Sequence, residues 1–137
     1  MREIVFRGKS SREWKNVKSG QWVNGCLWHH TDKASIIYSD ELDDKVWVFP
    51  NTVGQFTGLT DKNGKKIFEG DIIKGKLPDL SYMPERTGVV QWGNFGWIIK
   101  FDAPEWEFPR VGFCSFGDYE VIGNIHDNPE LLGEEMP

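Results

Sequence analysis

Short apolar runs, each cut off by a turn former within about ten residues, restrict this chain to antiparallel β structure. Ile4-Val5-Phe6 opens the series and is expected to end at Gly8. Residues 22–28 (Trp-Val-Asn-Gly-Cys-Leu-Trp) form a second run, 35–38 a third, and 46–49 a fourth that Pro50 stops. Polar connectors fill 31–33 and 40–44. The clearest local signal is Asn63-Gly64, set between Leu59 and Ile67-Phe68. Both residues tolerate positive φ, so the pair predicts a two-residue type I′ turn joining strands near 57–61 and 65–68. Glu69-Gly70-Asp71 is a second break, and Ile72-Ile73 begins the next strand. Further strands are expected at 87–92 and 97–101, around a turn at 93–96. Residues 119–125 read as a last strand whose glycine break suits a bulge. Asn128-Pro129-Glu130 predicts a capped helical turn of one or two turns. Two proline-bearing stretches without periodicity, 76–86 and 102–118, read as long loops.

Composition agrees with sheet. The 137 residues include ten Val, ten Ile, seven Trp and nine Phe but only two Ala, which disfavours a helical bundle. That length makes one domain or two very small ones, and folding buries about two-thirds of the chain's surface. The aromatic and β-branched content offsets the ordering entropy, so wholesale disorder is excluded. No stretch approaches the roughly 18 apolar residues of a membrane span, and the N-terminal residues lack the apolar run of an export signal. Cys26 and Cys114 make no disulfide framework, so both thiols are expected to be reduced, in the cytoplasm.

The net charge of −5 argues against a strongly basic nucleic-acid binder. The charge is unevenly spread: residues 1–39 sum to +4, 40–101 to −1 and 102–137 to −8. Complementary ends suit self-docking or contacts between copies; a basic surface for an acidic partner is the other reading.

Few residues look equipped for chemistry. Cys26, His29, His30 and Asp32 are metal-ligand types, but strand alternation puts Cys26, Trp28 and His30 on one face and His29 on the other. No cofactor or metal is therefore expected. Glu69 and Asp71 are close carboxylates in a glycine turn, where capping backbone amides is the plainer role. Ser115 lies outside any nucleophile elbow, and Gly93-Asn94-Phe95-Gly96 lacks the lysine and spacing of a phosphate loop. The chain is not expected to be an enzyme. The aromatic series Trp92, Phe95, Trp97, Phe101, Trp106, Phe108, Phe113 and Phe116 is denser than a small core needs. Stacking platforms for single strands interleave such aromatics with basic groups, whereas here Asp102, Glu105, Glu107 and Asp118 are the neighbours. Trp106, Phe108, Phe113 and Phe116 are accordingly expected to anchor an interface between proteins. A homo-oligomer follows, with folding of that loop over its own N-terminal segment as the monomeric alternative.

Four ordered motifs resemble the YopX family of phage and prophage proteins. They are Met1-Arg2-Glu3-Ile4 with Phe6-Arg7-Gly8-Lys9; residues 52–59 with Asp61-Lys62-Asn63-Gly64 and 67–72; Gly88-Val89-Val90 with Trp92; and residues 121–131. The resemblance implies an SH3-like β-barrel in residues 57–137, preceded by a smaller β segment in 1–56 and closed by a short helical turn. It implies a bacterial cytoplasmic setting and no catalytic residue. On this reading Gly58, Gly64, Gly70 and Gly88 serve turns and breaks. The expected function is a non-enzymatic accessory module that binds a host or phage protein or its own copies, without a membrane. A nucleic-acid-associated factor is the rival, and a hydrolase of a host small molecule the distant third.

Overall fold

A computed structural model describes residues 4–75, 86–92, 96–101, 110–112 and 119–132. The fold is mainly β, in two antiparallel sheets. The chain divides into two compact units, Met1–Gly58 and Leu59–Pro137. Strands of the first unit are β1 (Phe6–Lys9), β2 (Trp22–His30), β3 (Ser35–Ser39), β4 (Asp44–Val48) and β5 (Gly54–Thr60). A 3₁₀ turn, Pro50–Thr52, follows β4 where Pro50 interrupts the extended chain. The second unit contains β6 (Lys66–Phe68), β7 (Asp71–Gly75), β8 (Arg86–Trp92), β9 (Trp97–Phe101), β10 (Arg110–Gly112) and β11 (Glu120–Asn124). The first sheet runs β4-β3-β2-β1-β5-β6, the chain leaving the first unit inside β5. The second runs β10-β9-β8-β7-β11.

In the first unit, one side of the sheet buries Val23, Ile37, Val46 and Val48 with Val17, and Phe6, Leu27, Leu42 and Val53 pack against them. The bridge Ser10↔Val48 ties the chain after β1 to β4, so the sheet curls around this core. Gly8, expected to end the first strand, sits inside β1. Thr52 replaces a missing ladder partner: its Oγ1 accepts from Lys9 N at 2.9 Å and donates to Phe49 O at 2.7 Å. Gly25 permits a close approach, because a Cβ there would stand 1.9 Å from the Tyr38 carbonyl oxygen.

In the second unit, Ile67, Ile73, Val90, Ile99 and Tyr119 form the core, with Trp97 and Val121 against it. Ile72 and Val89 pair on the opposite side of this sheet and are buried too. The ladder is open among the described residues: β10 and β11 lie at opposite edges, not in a closed barrel.

Several local expectations are corrected. The hairpin between β5 and β6 exists, but its turn is not type I′. Asp61 N donates to Lys65 O and Gly64 N to Asp61 O, leaving a three-residue loop. Only Gly64 takes positive φ, at 81°, and Asn63 does not. This is a type I turn followed by a left-handed residue. Gly88 is no break, since it pairs with Ile73 and Phe101 inside β8. Residues 110–112, read as loop, form β10, because Val111 gains a register partner in Ile99 that local sequence does not reveal. The bulge in β11 falls between Val121 and Gly123 as its glycine break suggested. The terminal turn Pro129–Leu132 is 3₁₀. Asn128 precedes it, its carbonyl accepting from Leu131 N at 3.1 Å and its Oδ1 from Asn124 N at 3.3 Å.

Candidate binding face

Alternation along β1 turns Phe6 toward the core of the first unit and Arg7 and Lys9 away from it. Lys9 is paired across the ladder with Trp22. The Arg7 guanidinium lies 4.6 Å from the Trp22 ring centroid, and Lys9 Nζ lies 5.5 Å from it. The same alternation in β4 buries Val46 and Val48 and turns Lys45 and Trp47 outward. Arg12 stacks 4.7 Å over Trp47, and Lys45 Nζ sits 3.9 Å over Trp28. Trp28 is 57% exposed and Trp47 38%. One side of the curled sheet is therefore core, and the other carries three indoles under four cations. Each such contact contributes about 0.5–1 kcal/mol at an exposed site and holds ring and charge together.

Carboxylates border this face in the β3–β4 turn, and two of them are engaged locally. Lys15 Nζ at 2.9 Å, Trp14 Nε1 at 3.0 Å and Lys45 N at 2.8 Å all reach Asp44. These contacts, Lys15 foremost, hold the Asp44 carboxyl down at about 2. The Tyr38 hydroxyl donates to Asp43, which raises the phenol above its ordinary value.

The Cys26–Asp32 cluster is arranged differently from simple alternation. The register slips between Leu27 and His29, so Cys26 pairs with Tyr38 but His29 with Ile36 and His30 with Ser35. The bulge puts Cys26 and His29 on one face and turns His30 to the other, where its Nδ1 meets Ser35 Oγ at 2.6 Å. Among the described residues no three such groups gather around a metal position. Cys26 is a free, exposed thiol. Cys114, Ser115 and the expected anchors Trp106, Phe108, Phe113 and Phe116 lie outside the described residues.

Polar motif residues of the second unit satisfy backbone amides. Asp61 Oδ1 accepts from Asn63 N and Lys65 N, each at 2.9 Å, and Oδ2 from Val121 N at 3.0 Å. Asp71, fully buried, accepts from Phe68 N at 2.8 Å. Asn124 Oδ1 accepts from His126 N and Asp127 N, and its Nδ2 donates to Asp127 Oδ2 at 3.1 Å. Ile125 N donates to Gly70 O and Gly70 N to Val90 O, tying the two motif turns to β8.

The sequence points to an interface at Trp106, Phe108, Phe113 and Phe116 and not to the face of the first unit. Its signal was present as two-residue spacing: Arg7 with Lys9, and Lys45 with Trp47. On a strand that spacing means one side.

The family described as YopX protein matches residues 5–133. Among solved structures, the chain is similar to the crystal structure of protein EF1440 from Enterococcus faecalis. That likeness has a TM-score of 0.55 at 24% identity, covering 95% of this chain and 98% of the other. Among curated proteins nothing matches.

Proposed function

This chain belongs to the YopX family, and we propose that it is a non-enzymatic binding module that meets its partner through the outward face of β1, β2 and β4. The indole–cation array carries this reading: three tryptophans and four cations share one side of a sheet whose other side is core. Aromatic and Arg side chains are the groups that anchor interfaces. The family resemblance supports a phage or prophage origin and action in a bacterial cytoplasm. The bacterial source of the similar structure agrees with that setting. The second unit, whose sheet has five antiparallel strands, is read as an open, SH3-like variant of a small barrel. Self-association through the 102–118 segment belongs to the same proposal.

Covalent footprinting tests the face without knowledge of the partner. The purified protein is labelled in buffer and in bacterial extract, then mapped by mass spectrometry. Lys9, Lys45, Trp28 and Trp47 should be protected in extract, while Lys62 and Lys66 of the β5–β6 hairpin keep their reactivity. Equal labelling in buffer and extract would overturn the reading.

A further inference from the structure

We propose that the occupant of this face is a single-stranded nucleic acid, an inference that rests on the binding-face reading above. Its phosphates would meet Arg7, Lys9, Arg12 and Lys45, and its bases would stack on Trp28 and Trp47. The chemistry of the face selects this class. Four cations suit a polyanion, and exposed indoles suit flat, unpaired rings; single-strand binders combine these two features. An acidic peptide without aromatic side chains uses the cations but offers no ring to the indoles. A duplex hides its bases, and a broad curled sheet does not enter a groove that admits a helix or a two-stranded ribbon. Lys45 and Arg12 lie 3.9 and 4.7 Å over the Trp28 and Trp47 rings, so a base that stacks on either ring takes the place of a cation that turns to the adjoining phosphate. Arg guanidinium planes also stack on bases directly. Strands β2 and β4 flank β3, so the backbones that carry Trp28 and Trp47 run about 10 Å apart. The acidic net charge does not cancel this site. It is concentrated in residues 102–137, which sum to −8, while residues 1–39 sum to +4, and of the carboxylates bordering the face Asp44 is held by Lys15 and Trp14 and Asp43 by the Tyr38 hydroxyl.

The test uses the full chain and a fluorescein-labelled oligothymidylate of about 12 nucleotides, read by anisotropy across a salt series. Binding should appear at low salt and weaken with a log–log slope of roughly −3, the release expected for four neutralised phosphates. Trp28→Ala and Trp47→Ala should each weaken it about fivefold or more. Lys45→Gln should make the salt slope shallower by about 0.7. Lys62→Gln, on the β5–β6 hairpin, should change nothing. Thermal unfolding confirms that each variant is folded, and Lys45→Gln keeps the test decisive if a Trp variant is not. No anisotropy change at low salt overturns the inference. So does binding indifferent to Trp28, which indicates charge alone, or equal displacement by polyglutamate, which indicates an acidic-peptide site. Footprint protection that survives nuclease treatment of the extract, with no oligonucleotide binding, sinks this inference and leaves the binding face standing.

Discussion

Asp61 shows how one side chain holds the second unit together. It is buried, and burial alone would raise its carboxyl, but bonds from the amides of Val121, Lys65 and Asn63 outweigh that and lower it. The folded state thus binds this proton less tightly than the unfolded chain, where Asp titrates near about 3.9. The stability it contributes is full above that value and is lost as pH falls through the lower folded value. Asp61→Asn removes one acceptor and should cost about 1–3 kcal/mol at neutral pH. Its unfolding free energy should also vary less with pH below about 4; an unchanged acid profile would contradict the assignment. Gly64 gives a second test. Its φ is 81° and no atom lies within 4 Å of where a Cβ would stand, so strain there is purely backbone. Gly64→Val should cost about 1–3 kcal/mol by thermal unfolding. Asn63→Ala should cost less, because Asn63 is not in the left-handed region. The Asn-Gly pair announced a hairpin, but which of its residues turns left depends on loop length, set by the Asp61–Lys65 pairing.

Strands β2 and β3 meet more closely at Gly25 than any side chain allows, with 1.9 Å from a Cβ to the Tyr38 oxygen. Gly25→Ala should therefore force the ladder apart and cost about 3 kcal/mol or more. Hydrogen exchange should show lost protection across β2, β3 and β4. Protection equal to the parent would mean the strands part without cost. Most strands were legible as apolar runs between turn formers. β10 was not, since three residues become a strand through distant partners on β9. The slip between Leu27 and His29 was equally hidden, and it reassigned both histidines to different faces. A bulge is a property of two paired strands, so neither strand alone announces it.

Charge is divided along the chain, from +4 over residues 1–39 to −8 over 102–137, and the acidic portion includes Trp106, Phe108, Phe113 and Phe116. Contact between copies through that segment is the expected consequence. Sedimentation at micromolar concentration should show a species larger than 15.8 kDa. Trp106→Ala should weaken it by roughly 2 kcal/mol, the size of a hot-spot truncation. A single 15.8 kDa species, unchanged by the substitution, would remove self-association from the proposal. By itself the sequence determined the β class, most strands, the hairpin at Asn63-Gly64, and a family motif rich in Gly, Asp and Asn. These follow from local conformational preference and hydrophobic spacing, which act within a few residues. Tertiary structure alone decided that Asp61 would reach Val121, 60 positions away. It also gathered Arg7, Arg12, Trp22, Trp28, Lys45 and Trp47 on one face. The physical reason is register: the ladder pairs residues far apart in the chain, and only that pairing determines which side chains share a surface.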